Sequence, residues 1–396
     1  MAPPIDQRAL AETIEWLNDG CPNAPLAEDA LRETCVRLTA GGVALIHGAI
    51  FVRILHPVIL GRRFIWHPKT GVTSETVGYE LFDNPEYQTS PIKQVSQTGR
   101  PLRRRLGDPD CPMDFSFLDK FRAEGVTDFL ALPLRSHEGH VHTSAWMSKQ
   151  PGGFSDEEIA ALETIAKPLA RMVEVRSLRR TAISLLDTYV GGQAGRRILD
   201  GHIRRGDIEA IHAAIWLSDM RGFTARADRM AVTDLVSLLN RYFDCQVPLI
   251  RDHGGEVLKF MGDGLLAIFP TEGTTLAAAC RNAFAAARKI EAEVAGADWA
   301  GLEEKGAVRF GVALHVGEVL YGNVGSENRL DFTCIGPAVN IAARIEKVSG
   351  EIGRTILASR EFALHCGPEL ESGALVPVGE FTLKGVSAPQ QVYGTP

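Results

Sequence analysis

Asp219 follows the apolar run "AIHAAIWLS" and precedes "MRGFT", and Asp263 sits between two glycines in "EVLKFMGDGLLAIF". If these runs are neighbouring strands, both carboxylates meet at one sheet edge. Two hard oxygen donors suit Mg²⁺ or Mn²⁺, above all when substrate phosphates complete the shell. The segment after Asp219 reads as a helix start. The free N–H groups of Gly222, Phe223 and Thr224, with Gly222 permitting close approach, suit a phosphate. A lone Asp in a tight turn is ordinarily a turn residue, and only the pairing with Asp219 makes Asp263 a candidate ligand. Lys259 is a second charge in an otherwise apolar hairpin and needs its own reason to be there.

A second set of polar residues follows in "RLDFTCIGPAVNIAARIE", residues 329–346. Pro337 takes the first position of a helix. Asn340 and Arg344, four residues apart, then share a helix face. A short amide and a guanidinium fork on one face suit a sugar and a charged phosphorus centre. "GEFTLKGV" places Lys384 at the close of a strand, where a lysine is usually a solvated edge charge.

The elements that must hold these residues alternate from Ile208 onward. Strands are expected at 210–218 and 308–317, helices at 232–254 and 274–295, with the Asp263 hairpin between the two helices. This is an α+β or α/β sheet domain. The first third also reads as α/β: helices at 7–18 and 27–40, strands at 49–55 and 62–68, and two strands around a Glu-Gly turn within 127–149. Ser155 and Glu158 form a capping box for a long helix, which Pro168 either kinks or splits. Along it, Leu162, Ile165, Leu169 and Met172 form one stripe, and Leu178, Ala182, Leu185 and Tyr189 another, out of register with the first. Either the helix packs on its own sheet and then on something else, or it joins two copies as a parallel coiled coil. Residues 190–207, rich in Gly and Arg, read as a hinge.

"WLSDMRGFT", "GGEVLKFMGDGLLAIF", "DFTCIGPAVNIAAR" and "FTLKGV", in this order and spacing, resemble the catalytic domain of class III adenylate cyclases. The resemblance covers residues 208–396 and implies a ferredoxin-like βαββαβ core. It implies a head-to-tail homodimer with shared sites, so that a monomer is inactive. Asp219 and Asp263 would hold two Mg²⁺ or Mn²⁺ ions on the ATP triphosphate. Lys259 and Thr333 would read adenine, Asn340 would orient the ribose, Arg344 would stabilise the reacting phosphate, and Lys384 would bind the terminal phosphates. The hydrogen-bonding pattern agrees: adenine N1 accepts, matching a lysine, and N6 donates, matching a hydroxyl. Guanine would leave its N1–H unpaired against Lys259. Many family members carry Asp at the Thr333 position, so Asp331, on the same strand face, stays the alternative. Guanylate cyclase and a catalytically silent nucleotide-binding signalling protein are the competing functions. The GGDEF signature of diguanylate cyclases fails here, because Glu256 is followed by Val257 and Leu258.

Residues 1–175 are similar in layout to a GAF domain: helices, a mixed sheet and a long exit helix, which would make 176–207 a helical, coiled-coil-like linker. Such a domain implies regulation by an unidentified small molecule or by dimerisation. His137, His140 and His142 lack a Cys or carboxylate at ligand spacing and read as exposed histidines beside a turn rather than as metal or haem ligands. Cys111 is isolated and reads as inert, and "RPLRRRL" (100–106) as a solvated charged edge.

The chain of 396 residues is too long for one ordinary core. Its net charge of −7 argues against general nucleic-acid binding. Seven scattered cysteines without a CxxC pair read as reduced thiols in a cytoplasmic protein. The N-terminal residues do not pattern as a signal peptide. The most apolar window, Gly41–Gly61, carries two histidines, an arginine and a proline, which fits a buried strand region better than a membrane span.

Overall fold

In a computed structural model, residues 4–137, 139–302, 308–386 and 388–396 are described. The chain divides into two units, residues 1–185 and 186–396. Among the described residues, no helix is long and apolar enough to cross a membrane.

The first unit is built on a six-stranded sheet. Its spatial order is Gly71–Gly78, Ile59–His67, His47–Arg53, Val141–Ser148, Asp128–Arg135, Leu102–Arg104. A mixed sheet was expected, yet every neighbouring pair is antiparallel. The strand Gly71–Gly78 escapes a hydrophobic-pattern reading because it is a polar edge, "GVTSETVG", with little buried surface. Helices Gln7–Asn18 and Ala27–Ala40 and the first half of a long helix, Asp156–Tyr189, cover one face. The other face packs under the helices Pro91–Thr98 and Leu118–Ala123.

The capping box forms as spaced: Ser155 N–H donates to Glu158 Oε2 at 2.8 Å, and Glu158 N–H to Ser155 Oγ at 3.3 Å. Pro168 does not split the helix, which runs on for 34 residues. Beyond Met172 and Val173 its apolar stripe comes to the surface, with Val175, Leu178 and Tyr189 all exposed.

Two further expectations for this unit are corrected. The arginines at 100–106 are not simply a solvated edge. Arg103 donates through Nε and Nη2 to Asp128, whose side chain is fully buried and also accepts from Phe154 N–H. Arg104 pairs with Asp114. The histidines are not all exposed either: His142 lies on a strand that faces the interior, and its Nδ1 accepts from Arg53 N–H at 3.3 Å. Burial, followed by His140, lowers its pKa to about 4. A histidine with a depressed pKa supports the fold only while it stays neutral. Its contribution is therefore complete above about 6.5 and is lost as the pH falls toward 4. The expected loss at pH 5 is about 2 kcal/mol relative to pH 7. Urea titrations of wild type and His142→Gln at both pH values measure it, and an equal pH dependence in the two proteins contradicts it.

The second unit holds an eight-stranded sheet. Seven strands follow the order Val376–Phe381, Gln390–Gly394, Ile356–Ser359, Phe310–Ser326, Ile208–Met220, Gly264–Pro270, Glu256–Met261, and Arg329–Ile335 pairs with Phe310–Ser326. Its central four strands lie in the order fourth, first, third, second along the chain, with all neighbours antiparallel. That is the expected ferredoxin-like βαββαβ arrangement. The strand Gly264–Pro270 is buried along almost its whole length, which is why "GLLAIFP" carries no polar alternation. One face packs on the helix Leu276–Gly296 around Trp216 and Phe269, and the other on the helix Pro337–Ile352.

The helix expected at 232–254 breaks into Val232–Asp244 and Val247–Asp252, with Pro248 in the first turn of the second. Residues 190–207, read as a hinge, are structured. They form the helix Gly192–Leu199, and His202 O accepts from Asn323 Nδ2 at 2.9 Å.

Candidate active site

Asp219 lies near the end of the central strand, level with Gly311 on one side and next to the Ser218–Leu265 pair on the other. Gly262 turns the hairpin with a φ of +67°, a conformation glycine adopts without strain. Gly264 then brings the hairpin against the strand. A Cβ there would lie 2.4 Å from Ser218 O and 3.0 Å from Asp219 Oδ1. This packing puts the Asp263 carboxyl close enough to Asp219 for the two charges to act on each other.

Burial first, and then the charges of Asp263 and Glu346, push the pKa of Asp219 up to about 7, against a smaller opposing effect of Arg221. Two carboxylates this close repel unless a proton or a cation lies between them. The donor set therefore fits a hard divalent cation. Among the described residues no cluster of three or more His, Cys, Asp or Glu surrounds them, so further oxygens would come from backbone carbonyls, water or substrate. Beside the pair, Gly222 caps the five-residue helix Phe223–Ala227 with a φ of +73°. Phe223 is half-buried against the core, and Gly222 and Thr224 are exposed.

Lys259 follows a β-bulge between Val257 and Lys259. It is half-buried and lines one cavity with residues 329–332 of the strand Arg329–Ile335, and its charge partly offsets the burial that raises Cys334 to about 11. Thr333 on that strand is 4% exposed, and its Oγ1 is buried without a hydrogen-bond partner. Such a hydroxyl costs about 1–3 kcal/mol until something bonds it. Asp331 is exposed. Thr333 is level with Gly322, and Asp219 with Gly311, along one strand. That interval is about 36 Å of strand contour at ~3.3 Å per residue.

Asn340 and Arg344 share a face of the helix Pro337–Ile352, whose N-cap is Gly336. Lys384 is not at the close of a strand. The strand ends at Phe381, and Lys384 lies exposed in the turn closed by Val386 N–H donating to Leu383 O. The turn is still relevant: a Cβ at Gly385 would lie 3.5 Å from Arg344 Nη2. Three groupings therefore emerge, namely Asp219 with Asp263, Lys259 with the Thr333 strand, and Arg344 with the Lys384 turn.

A further residue at this site was not singled out in the sequence. Arg221 Nη1 lies 2.8 Å from Glu346 Oε1, and its Nη2 donates to Ser349 Oγ at 2.7 Å and to Glu346 O at 3.3 Å. Its guanidinium fills space left by two glycines. A Cβ at Gly311 would lie 1.9 Å from Nη2, and one at Gly350 2.9 Å from Nη1. Arg221 thus braces the Asp219 strand against the helix of Asn340 and Arg344. The signal available in sequence was an arginine two residues from a candidate ligand. Its glycine partners lie far along the chain and could not be paired with it.

Residues 209–393 match the family described as the adenylate and guanylate cyclase catalytic domain. A terminal-differentiation-specific adenylate cyclase of Dictyostelium discoideum is 33% identical over 188 residues, 48% of this chain and 9% of that protein. Adenylate cyclase 1 of Rhizobium meliloti is 29% identical over 218 residues, 54% of this chain and 32% of that protein. The chain thus spans less than a third of the length of these relatives. Among solved structures, the adenylyl cyclase CyaB from P. aeruginosa is 26% identical, with 48% of this chain and 95% of that one covered at a TM-score of 0.41. The guanylyl cyclase Cya2 is 29% identical, with 47% and 92% covered at 0.39. Over residues 209–393, the chain is similar to the adenylate and guanylate cyclase catalytic domain, and adenylate cyclases are among the proteins it resembles.

Proposed function

We propose that the protein is an adenylate cyclase that converts ATP to 3′,5′-cyclic AMP and pyrophosphate at sites shared between two copies of the chain. The observation that carries the choice of base is the buried, unpartnered Thr333 hydroxyl on the strand that lines a cavity with Lys259. Lys259 donates to adenine N1, and Thr333 Oγ1 accepts from N6. The exposure of Asp331 favours Thr333 over it as the second reader. The long interval between Thr333 and Asp219 along one strand supports their serving different nucleotides.

Asn340 orients the ribose, Arg344 stabilises charge on the α-phosphate, and Lys384 holds the terminal phosphates. Gly222, Phe223 and Thr224 line the phosphate side of the Asp219 strand. The ribose 3′ hydroxyl gives its proton to solvent and its oxygen bonds to the α-phosphorus, while the bond from that phosphorus to the bridging oxygen breaks and pyrophosphate leaves. Asp219 and Asp263 would hold Mg²⁺ or Mn²⁺, two per site, which would supply a lowered pKa for the 3′ hydroxyl and neutralisation of phosphate charge. The exposed stripe of Val175, Leu178 and Tyr189 is the segment that would pair the two chains as a parallel coiled coil. The first unit would then be a GAF-like regulatory domain acting through it.

Cyclic AMP formation from ATP with Mn²⁺, in competition with GTP, tests the reading. Turnover of ATP with GTP as a poor competitor is expected. Preferential formation of cyclic GMP overturns the choice of base, and no turnover of either overturns the activity. Removing residues 1–175 with activity and ligand response unchanged overturns the regulatory role.

A further inference from the structure

Glu256 opens the strand that carries Lys259, three residues before it, and only 6% of the residue is exposed. A carboxylate this deep needs partners for both oxygens. Oε1 accepts from Ala194 N–H at 2.9 Å, and Oε2 accepts from Tyr321 Oη at 2.6 Å. Ala194 lies in the first turn of the helix Gly192–Leu199, where unpaired N–H groups and the helix dipole favour a negative charge.

The fit is close. Gly191 precedes this helix with a φ of +99°, and a Cβ on it would lie 3.3 Å from Val257 O and 3.4 Å from Glu256 Oε1. Tyr321 is level with Cys334, beside Thr333, and its ring packs edge-on against Phe332 at 4.8 Å. The Arg197 guanidinium of the same short helix lies 5.2 Å from the Tyr321 ring and also pairs with Glu209 at 2.8 Å. One carboxylate thus ties together three elements: the strand of Lys259, the hairpin of Thr333, and the short helix that follows the long one.

We propose that Glu256 is a positioning residue for base recognition. It sets the spacing between Lys259 and Thr333, and its anchor on Ala194 makes that spacing depend on where the helix Gly192–Leu199 sits. This rests on Lys259 and Thr333 being the base-reading pair. Nothing in the arrangement reaches the Asp219–Asp263 pair directly, so a change at Glu256 acts on the choice and affinity of the base more than on the chemical step.

The test uses the full chain with Glu256→Gln, and Tyr321→Phe as a milder variant that removes one hydrogen bond and no charge. The first readout is kcat and KM for ATP and for GTP. For Glu256→Gln we expect KM for ATP to rise about tenfold, kcat to change less than about threefold, and the preference for ATP over GTP to fall about tenfold. Tyr321→Phe should move in the same direction by less. The second readout is amide hydrogen exchange without nucleotide, which needs no activity. Exchange should quicken in residues 256–261 and 329–335 as well as in 192–199.

Wild type without turnover would sink the cyclase reading and leave the exchange result to decide the spacing role. Exchange that quickens only in 192–199, or a kcat loss equal for both nucleotides with KM unchanged, overturns the proposal.

Discussion

Asp263→Ala is expected to reduce cyclic AMP formation by about 10³-fold, the scale of losing a group that stabilises charge in the reaction. Folding should be affected little. Asp263 sits half-buried in a two-residue turn and faces another carboxylate, so its removal relieves repulsion. A stability change below about 1 kcal/mol is expected.

The decisive experiment mixes this chain with Lys259→Ala, which is also inactive alone. In a heterodimer with shared sites, one site collects both defects and the other collects none. Random pairing of equal amounts then restores about a quarter of the wild-type rate. Cyclic AMP assays on co-expressed chains read this directly. If the mixture is as dead as its parts, Lys259 and Asp263 act on the same nucleotide from one chain, and the shared-site reading fails.

Gly264→Val should be nearly as damaging, although no chemistry is assigned to the residue. The new side chain has no room, since even a Cβ would overlap Ser218 O at 2.4 Å and crowd Asp219 Oδ1 at 3.0 Å. Neither neighbour is the loose end of a flexible side chain. One is backbone of the central strand, and the other is a candidate ligand. The hairpin must move away from the strand, which costs about 3 kcal/mol of stability. Displacing Asp263 from Asp219 by even ~1 Å should cost activity about 100-fold. Denaturant titration and the cyclic AMP assay together measure both. Full activity in a destabilised Gly264→Val chain would show that the contact between hairpin and strand does not set the carboxylate geometry.

Much of the placement of these candidate residues was legible in sequence because they sit in short, rigid motifs. Asp219 and Asp263 each end or turn a strand, and apolar runs as strong as "AIHAAIWLS" and "GLLAIF" fix those strands. Asn340 and Arg344 needed only a helix start and a spacing of four. Lys384 was misplaced by a few residues, because the end of a short edge strand depends on its partner and not on its own pattern.

What stayed hidden lies in long-range contacts. His142 looked exposed because its neighbours are polar, and only pairing across the sheet puts it inside. Glu256 was weighed solely as part of a failed signature, since its partners Ala194 and Tyr321 are 62 and 65 residues away. Gly264 leaves space for a strand that comes much earlier in the chain, a contact that its place beside Asp263 does not reveal.

The brace formed by Arg221 bears on kinetics. It joins the strand end of Asp219 to the helix of Asn340 and Arg344, through a guanidinium that two glycines make room for. In a shared-site dimer those two elements of one chain face different substrates. A nucleotide that pulls on the carboxylates of one site would tug, through Arg221, on the ribose-orienting helix of the other. The two sites then would not titrate independently, and the dependence of rate on ATP concentration would depart from a simple hyperbola, with a Hill coefficient away from one.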